Sequence, residues 1–326
     1  MSTLYKLQPD PRSVHVDTVL TNISVAYLRD QPFRAAEIFP IVPVNKQSDR
    51  YFVYTKADWL KARATKIAPS AETPGAGYSL STDTYFADVW GFHKDVDDMT
   101  RANADSPIDP DVDATEFVTH TIMLTREKEW VNKYFTTGVW GTDYTGVAAS
   151  PSGNQFLQWN DAASDPVKDV RRARLQIQGT TGLRPNTFVC SRTVYETLTE
   201  HPIVVDRVKY TQRALGEDLD STDIVARLFK VQRVIILDAV ESDDAGTVSW
   251  LAGKHAWLGY VATRPGLLRP SAGYIFSWKF AGGNAQVVIS RYRIDHIRSD
   301  RIEGLSSWDM KVVAADLGAF FQNAIA

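Results

Sequence analysis

The sequence predicts an α+β chain organised around one very long helix, on three observations. The stretch 109–140 carries a single amphipathic helix over about residues 110–137, aromatic and β-branched runs of strand type flank it, and no fixed-period repeat alternates the two. The 326 residues are 44% apolar and include nine tryptophans, enough for at least one real core. A formal charge of −3 argues against a broad basic surface held to nucleic acid. The single cysteine, Cys190, rules out an internal disulfide or a cysteine metal cluster and suits a reducing compartment. The N-terminus does not look like a signal peptide, and no window approaches the roughly 18 apolar residues of a membrane span.

Taken in order, residues 1–46 are broken by Pro9, Pro11, Pro32, Pro40 and Pro43, which favour an extended arm. Within it, residues 17–28 have the spacing of a short helix, with Val19, Leu20, Ile23 and Tyr27 on one side. Residues 50–55 and 84–92 are strand runs, and the simplest reading joins them as a long hairpin. Its outer part carries Lys56, Lys61, Arg63 and Lys66, then a Pro74-Gly75-Ala76-Gly77 turn. A two-stranded ribbon alone is marginal in water, so this one should lean on something, such as another subunit. Residues 95–113 then run acidic, with Asp95, Asp97, Asp98, Asp105, Asp109, Asp111 and Asp113 against Arg101. The two charged stretches suggest an inter-subunit contact of Lys56, Lys61, Arg63 and Lys66 with Asp95, Asp97 and Asp98 of a neighbour.

The long helix carries its own boundary signals. Asp109 is an N-cap, Pro110 occupies the first helical position, and Asp111 and Asp113 meet the positive end of the macrodipole. Lys128 and Lys133 lie toward the other end and Gly138 is placed to terminate it. Phe117, Leu124, Val131 and Phe135 recur at helical spacing as the expected core face, with Met123, Trp130 and Tyr134 beside them. At 1.5 Å per residue the helix would be roughly 40 Å long, a beam on which a thin molecule is laid out.

Past Gly138 the sequence reads as a loop rich in Gly, Ser, Thr and Trp, followed by a helix opening at Asp165-Pro166. Its apolar set is Val167, Val170, Leu175 and Ile177. Residues 187–190 form a buried strand, and a helix after it is stopped by Pro202. Residues 220–229 make a short helix capped by Asp220 or Ser221, then an apolar strand follows, and strands dominate from residue 248 onward.

Enzyme signatures are missing: there is no phosphate loop, dinucleotide fingerprint, nucleophile elbow or H-E-x-x-H pair. Asp109, Asp111 and Asp113 match the start of a calcium loop, but Ala114 and His120 occupy the positions of its obligatory Gly and Glu. First-turn carboxylates explain them better. His93 with Asp95, Asp97 and Asp98 has the residue types of a metal site, while an acidic solvated or partner-facing strip is the plainer reading. His255 and Cys190 adjoin or lie in apolar strands and read as core. Composition and motifs therefore favour a structural or interaction protein over an enzyme, and no cofactor is implied.

The order of these pieces resembles the major capsid proteins of tailed bacteriophages, with their Hong Kong 97-type fold. The phrases that carry the resemblance are Ile38-Phe39-Pro40-Ile41-Val42-Pro43-Val44 and Asp165-Pro166-Val167-Lys168-Asp169-Val170. To these add Arg184-Pro185-Asn186-Thr187-Phe188-Val189, His201-Pro202-Ile203-Val204-Val205-Asp206-Arg207-Val208-Lys209-Tyr210, Arg301-Ile302-Glu303-Gly304 and Trp308-Asp309-Met310-Lys311-Val312-Val313. By this resemblance residues 1–46 are an N-arm and 47–92 an extended β-hairpin loop. Residues 93–180 are a peripheral domain with a spine helix at about 110–137, 181–285 an axial domain, and 286–326 strands returning to the peripheral domain. Residues 211–222 become an axial-domain loop. The implied function is self-assembly into hexamers and pentamers of an icosahedral head that encloses double-stranded DNA. The implied partners are further copies of the chain, a separate scaffolding protein, a portal and a decoration protein, with no membrane; the chain is made in the bacterial cytoplasm and ends in the virion. The arm begins almost at Met1, so either scaffolding is a separate protein or the chain is a mature form, and the starting Met favours the first. Lys56, Lys61 and Lys66 lie in the hairpin, but no motif carries over the family's lysine–asparagine cross-link. Two alternatives stand: an encapsulin-type compartment shell on the same fold, and, from another class, a metal-dependent enzyme using His93, Asp95 and Asp97.

Overall fold

In the computed structural model the long helix spans Pro110–Tyr134, close to the sequence expectation. The Asp109 carboxylate accepts from the backbone N–H groups of Asp111 and Val112, at 3.0 and 3.4 Å. The structure describes residues 33–54, 60–67, 69–70, 72–75, 77, 80–105, 108–215, 222–264, 266, 269–279 and 287–326. The expected helix over residues 17–28, and Lys56, lie outside them. At its other end the long helix stops three residues before Gly138 is reached, because the Trp140 indole N–H donates to the Tyr134 carbonyl at 2.7 Å.

The buried face of this helix is the expected one only at Val131 and Phe135. Ala114, Val118, Ile122, Arg126, Glu127, Trp130 and Val131 are buried, and Phe135 just past the end is too. Phe117 is 45% exposed and Leu124 only half-buried. The reason is close approach. A Cβ on Gly304 would come within 2.5 Å of Val118 Cγ1 and 2.9 Å of Ile122 Cδ1, so small and slender side chains line the contact. Phe117, too bulky for that seam, sits at the sheet margin against Phe92, ring centroids 5.7 Å apart.

The sheet beneath is organised by strand Ser299–Val312. It pairs antiparallel with Asp88–Asp97 on one edge and Val288–Ile294 on the other, then with Gly273–Trp278 along residues 309–312. Strand Ile41–Val44 adds in parallel to Gly273–Trp278. Trp308 Nε1 donates to Glu129 of the long helix at 2.6 Å, and the Tyr134 hydroxyl donates to the Met310 carbonyl.

A second, six-stranded sheet runs Gln155–Leu157, Thr142–Val147, Gly318–Gln322, Ala256–Gly259, Thr187–Ser191, Arg233–Leu237. Alternation sends its side chains two ways. Val189, Ile235, Leu237, Trp257 and Phe320 join the core of the long helix's C-terminal half with Trp130, Val131 and Phe135. Phe188, Cys190, Leu258, Ala319 and Phe321 face helices Pro166–Thr181, Arg192–Glu200 and Thr222–Phe229 through Val170, Ala173, Ile177, Val194, Leu198 and Val225. Burial on both faces is why Thr187–Ser191 and Ala256–Gly259 are buried along their whole length.

Two expectations are corrected by this arrangement. The expected loop past Gly138 supplies two strands, Thr142–Val147 and Gln155–Leu157. These strands, helix Pro166–Thr181 and Gly318–Gln322 build the six-stranded layer, while Gly273–Trp278 belongs to the other sheet. Residues 211–215 are not loop, because a further helix opens with Pro202 and runs to Leu215.

The expected hairpin forms with shifted bounds: Ser48–Tyr54 pairs antiparallel with Leu80–Phe86, while residues 88–92 of the expected return strand belong to Asp88–Asp97 of the five-stranded sheet. Tyr51 and Tyr85 pack their rings on Phe276, at 5.1 and 4.7 Å, and the Asp309 carboxylate accepts the Phe86 N–H at 2.9 Å. Among the described residues this ring packing lies at the hairpin's base, and residues 60–67 are exposed throughout.

Candidate assembly surfaces

His93, Asp95 and Asp97 alternate along strand Asp88–Asp97 and so share one face. Asp95 is engaged by the directly opposed Arg301 in a two-pronged pair, Nε and Nη2 lying 2.7 and 2.9 Å from its carboxylate oxygens. Asp97 caps helix Asp98–Asn103, accepting from the Thr100 N–H at 2.8 Å and its hydroxyl at 2.6 Å. His93 is exposed beside them. Among the described residues no three His, Cys, Asp or Glu side chains gather as a metal site, and the strip's carboxylates are otherwise employed.

Asp98 belongs to an ionic clasp. Both its oxygens lie 2.6 Å from Arg293 guanidinium nitrogens. Arg101 bridges Asp111 at 2.8 Å and Asp300 at 3.1 Å, and Arg291 reaches Asp111 at 3.1 Å and also binds Asp300. Arginine hydrogen bonds hold the carboxyls of Asp95, Asp98 and Asp300 below the usual carboxylate range. Thus the strip expected to await a neighbour's lysines is largely matched by arginines of its own chain. Local charge reading missed this, because Arg293 lies 195 residues from Asp98 and Arg301 lies 206 from Asp95.

Lys61, Arg63 and Lys66 are all exposed on the hairpin's outer part, Arg63 donating to the Gly77 carbonyl at 3.0 Å. No ion pair joins them to the acidic strip among the described residues. Beside the long helix a half-exposed aromatic row runs along the margin of the five-stranded sheet. Trp90 stacks on Trp308 at 5.2 Å, Phe92 abuts Phe117, and the Lys94 ammonium lies 5.4 Å over the Phe117 ring.

The end of the arm is held by a residue the sequence did not single out. Glu127, 1% exposed, accepts the Ala35 N–H at 2.7 Å, and burial pushes its carboxyl up. Phe39 packs among Trp130, Tyr134 and Trp140, with centroids 5.7, 5.0 and 6.2 Å away. The available signal was the charged pair Arg126-Glu127 interrupting an apolar helical stripe. Cys190 is fully buried and burial pushes its thiol up, so it is no nucleophile.

The described surfaces thus comprise a two-stranded ribbon, sheet edges and carboxylates clasped by arginines. Solved structures give the class. A phage-related protein of Bordetella bronchiseptica aligns with a TM-score of 0.65 at 22% identity, covering 93% of this chain and 96% of its own. An encapsulin of Synechococcus elongatus aligns with a TM-score of 0.54 at 12% identity, over 90% and 88%. The fold is therefore one shared with a phage-related protein and an encapsulin. The sequence comparisons are more particular. Residues 157–258 match the family model described as phage major capsid protein E. The major capsid protein of Pseudomonas phage JBD67 is 26% identical over 95% of this chain and 97% of its own. That of Burkholderia phage BcepMu is 24% identical over 79% and 82%. The resemblance to phage major capsid proteins is supported by both comparisons.

Proposed function

We propose that this chain is the major capsid protein of a tailed bacteriophage, whose copies assemble as hexamers and pentamers into an icosahedral head around double-stranded DNA. The observation that carries the reading is whole-chain similarity to a phage major capsid protein, 95% of this chain and 97% of the relative, together with a hairpin whose residues 60–67 are exposed. A ribbon whose outer part has so little of its own body to lie on acquires partners when copies overlap. The near-neutral charge suits a wall that contains DNA without clamping it. A separate scaffolding protein, a portal and a decoration protein complete the proposed set of partners, and the virion is the proposed destination.

The encapsulin reading is kept as the second, because an encapsulin shares the fold. Expression of the chain with its genomic neighbours, followed by electron microscopy and analysis of particle contents, separates the two. Genome-length DNA protected from nuclease supports the phage reading, whereas particles filled with a cargo enzyme replace it by the compartment. A compact monomer with a fully protected hairpin overturns both.

A further inference from the structure

Two features at opposite edges of the six-stranded sheet complement one another. Beyond edge strand Gln155–Leu157 lies an open groove of about 940 Å³, walled by residues 151–157 and helix Pro166–Thr181. Lys168, Arg171 and Arg172 line it, with Leu157 and Leu175, and Leu175 is 54% exposed there. The groove's carboxylates are engaged: Asp165 pairs with Arg207 at 2.9 Å and Asp169 accepts from the Trp159 indole at 3.2 Å. The groove is thus apolar at one wall and cationic in balance.

From the other edge, strand Arg233–Leu237, the chain leaves the sheet into a short hairpin in which Val240–Ser242 pairs with Val248–Trp250. Register puts Val240, Ser242, Val248 and Trp250 on one face and Glu241 and Ser249 on the other. Glu241 is paired with Lys128 of the long helix, so its face turns inward. The outward face carries Val248, 61% exposed, and Trp250, 44% exposed. At its tip Asp243 accepts from the N–H groups of Ala245 and Thr247, at 2.9 and 2.8 Å, which keeps the turn rigid beside the exposed Asp244. The result is an apolar ridge with an acidic tip.

We propose that the hairpin of residues 240–250 of one copy seats in the groove between residues 151–157 and helix Pro166–Thr181 of the next. This inference rests on the shell reading and names one contact by which copies join. Opposite charges and a ridge facing a groove choose the occupant. Trp250 and Val248 lie against Leu175 and Leu157, and Asp243 and Asp244 face Lys168 and Arg171. Five strand spacings of about 4.8 Å separate the two edges by roughly 24 Å, so one chain does not satisfy itself. A ridge at one edge and its socket at the other make a head-to-tail contact, which generates closed rings when the rotation per copy closes.

The test places Leu175→Cys and Val248→Cys in the same full-length chain. Both positions are exposed, and the native Cys190 is fully buried and does not compete. After mild oxidation of purified particles or capsomers, a non-reducing denaturing gel should show a ladder of covalently joined chains. Each single variant should remain monomeric on the same gel. Particles that form yet give no ladder overturn the seating and leave the shell reading intact; a chain that forms no particles or capsomers overturns both. Independently, Lys168→Glu with Arg171→Glu should lower particle yield at least tenfold with an unchanged circular dichroism spectrum, and an unchanged yield overturns the inference.

Discussion

Gly304 lies so close beneath Val118 that a Cβ there would stand 2.5 Å from Val118 Cγ1, with Ile122 Cδ1 at 2.9 Å and Val287 Cγ1 at 3.0 Å. Branched side chains cannot swing clear of such a contact. Gly304→Ala should therefore push the long helix off its sheet and destabilise the chain by about 1–3 kcal/mol, read as a lower urea midpoint. An unchanged midpoint would mean that the helix does not rest on this strand.

The helix register makes a paired prediction. Ile122 is 3% exposed whereas Leu124 is only half-buried. Ile122→Asp should cost more than about 4 kcal/mol and leave little soluble protein, because it buries an unpaired charge. Leu124→Asp should fold with a visibly smaller loss. Comparing soluble yield and melting temperature of the two checks the order, and equal losses would contradict this register.

The ionic clasp predicts a pH dependence. In the unfolded chain Asp95, Asp98 and Asp300 return to a pKa of about 3.9, above their folded values. A depressed folded pKa gives stability that is complete above about pH 5 and is lost as pH falls through the folded values. Arg293→Ala removes the two-pronged partner of Asp98, so it should flatten the fall in urea midpoint between pH 5 and pH 3. A fall as steep as that of the parent would show that the clasp does not carry it.

Charge reversal of the hairpin separates fold from assembly. Lys61 and Arg63 are exposed, so Lys61→Glu with Arg63→Glu should leave the melting temperature within about a degree or two. If the hairpin docks on a neighbour through these charges, assembly should fall, with particle yield from sedimentation as the measure. Reversing Asp97 and Asp98 to Lys should restore nothing. It removes the helix cap on Thr100 and sets cations among Arg101 and Arg293, so the melting temperature itself should drop.

Local signals were legible in the sequence, and non-local ones were not. Asp109-Pro110 marked the start of the long helix because capping is decided within a few residues. Its end was overshot because the Trp140 indole, rather than Gly138, deals with the last carbonyls. Bulk suggested Phe117 and Leu124 as the core face, but the seam over Gly304 selects Ala114, Val118 and Ile122. Val131 and Phe135 are buried as expected, having a roomier neighbourhood of Trp130, Trp257 and Phe320. The acidic strip looked unmatched because Arg291, Arg293 and Arg301 enter it from strands far along the chain.

Strand Gly318–Gln322 sits in the middle of the six-stranded sheet, between Thr142–Val147 and Ala256–Gly259. A ribosome emits the first of these neighbours long before it emits the strand that will join them. At bacterial elongation rates of about 5–20 residues per second, Thr142–Val147 waits on the order of ten to thirty seconds for its central partner. Until Phe320 and Phe321 arrive, the sheet is two halves with a gap where the core should close. A chain that stops before this strand therefore leaves the sheet unclosed. Placing the last-made of these three strands between the other two makes its synthesis a condition for closing the sheet.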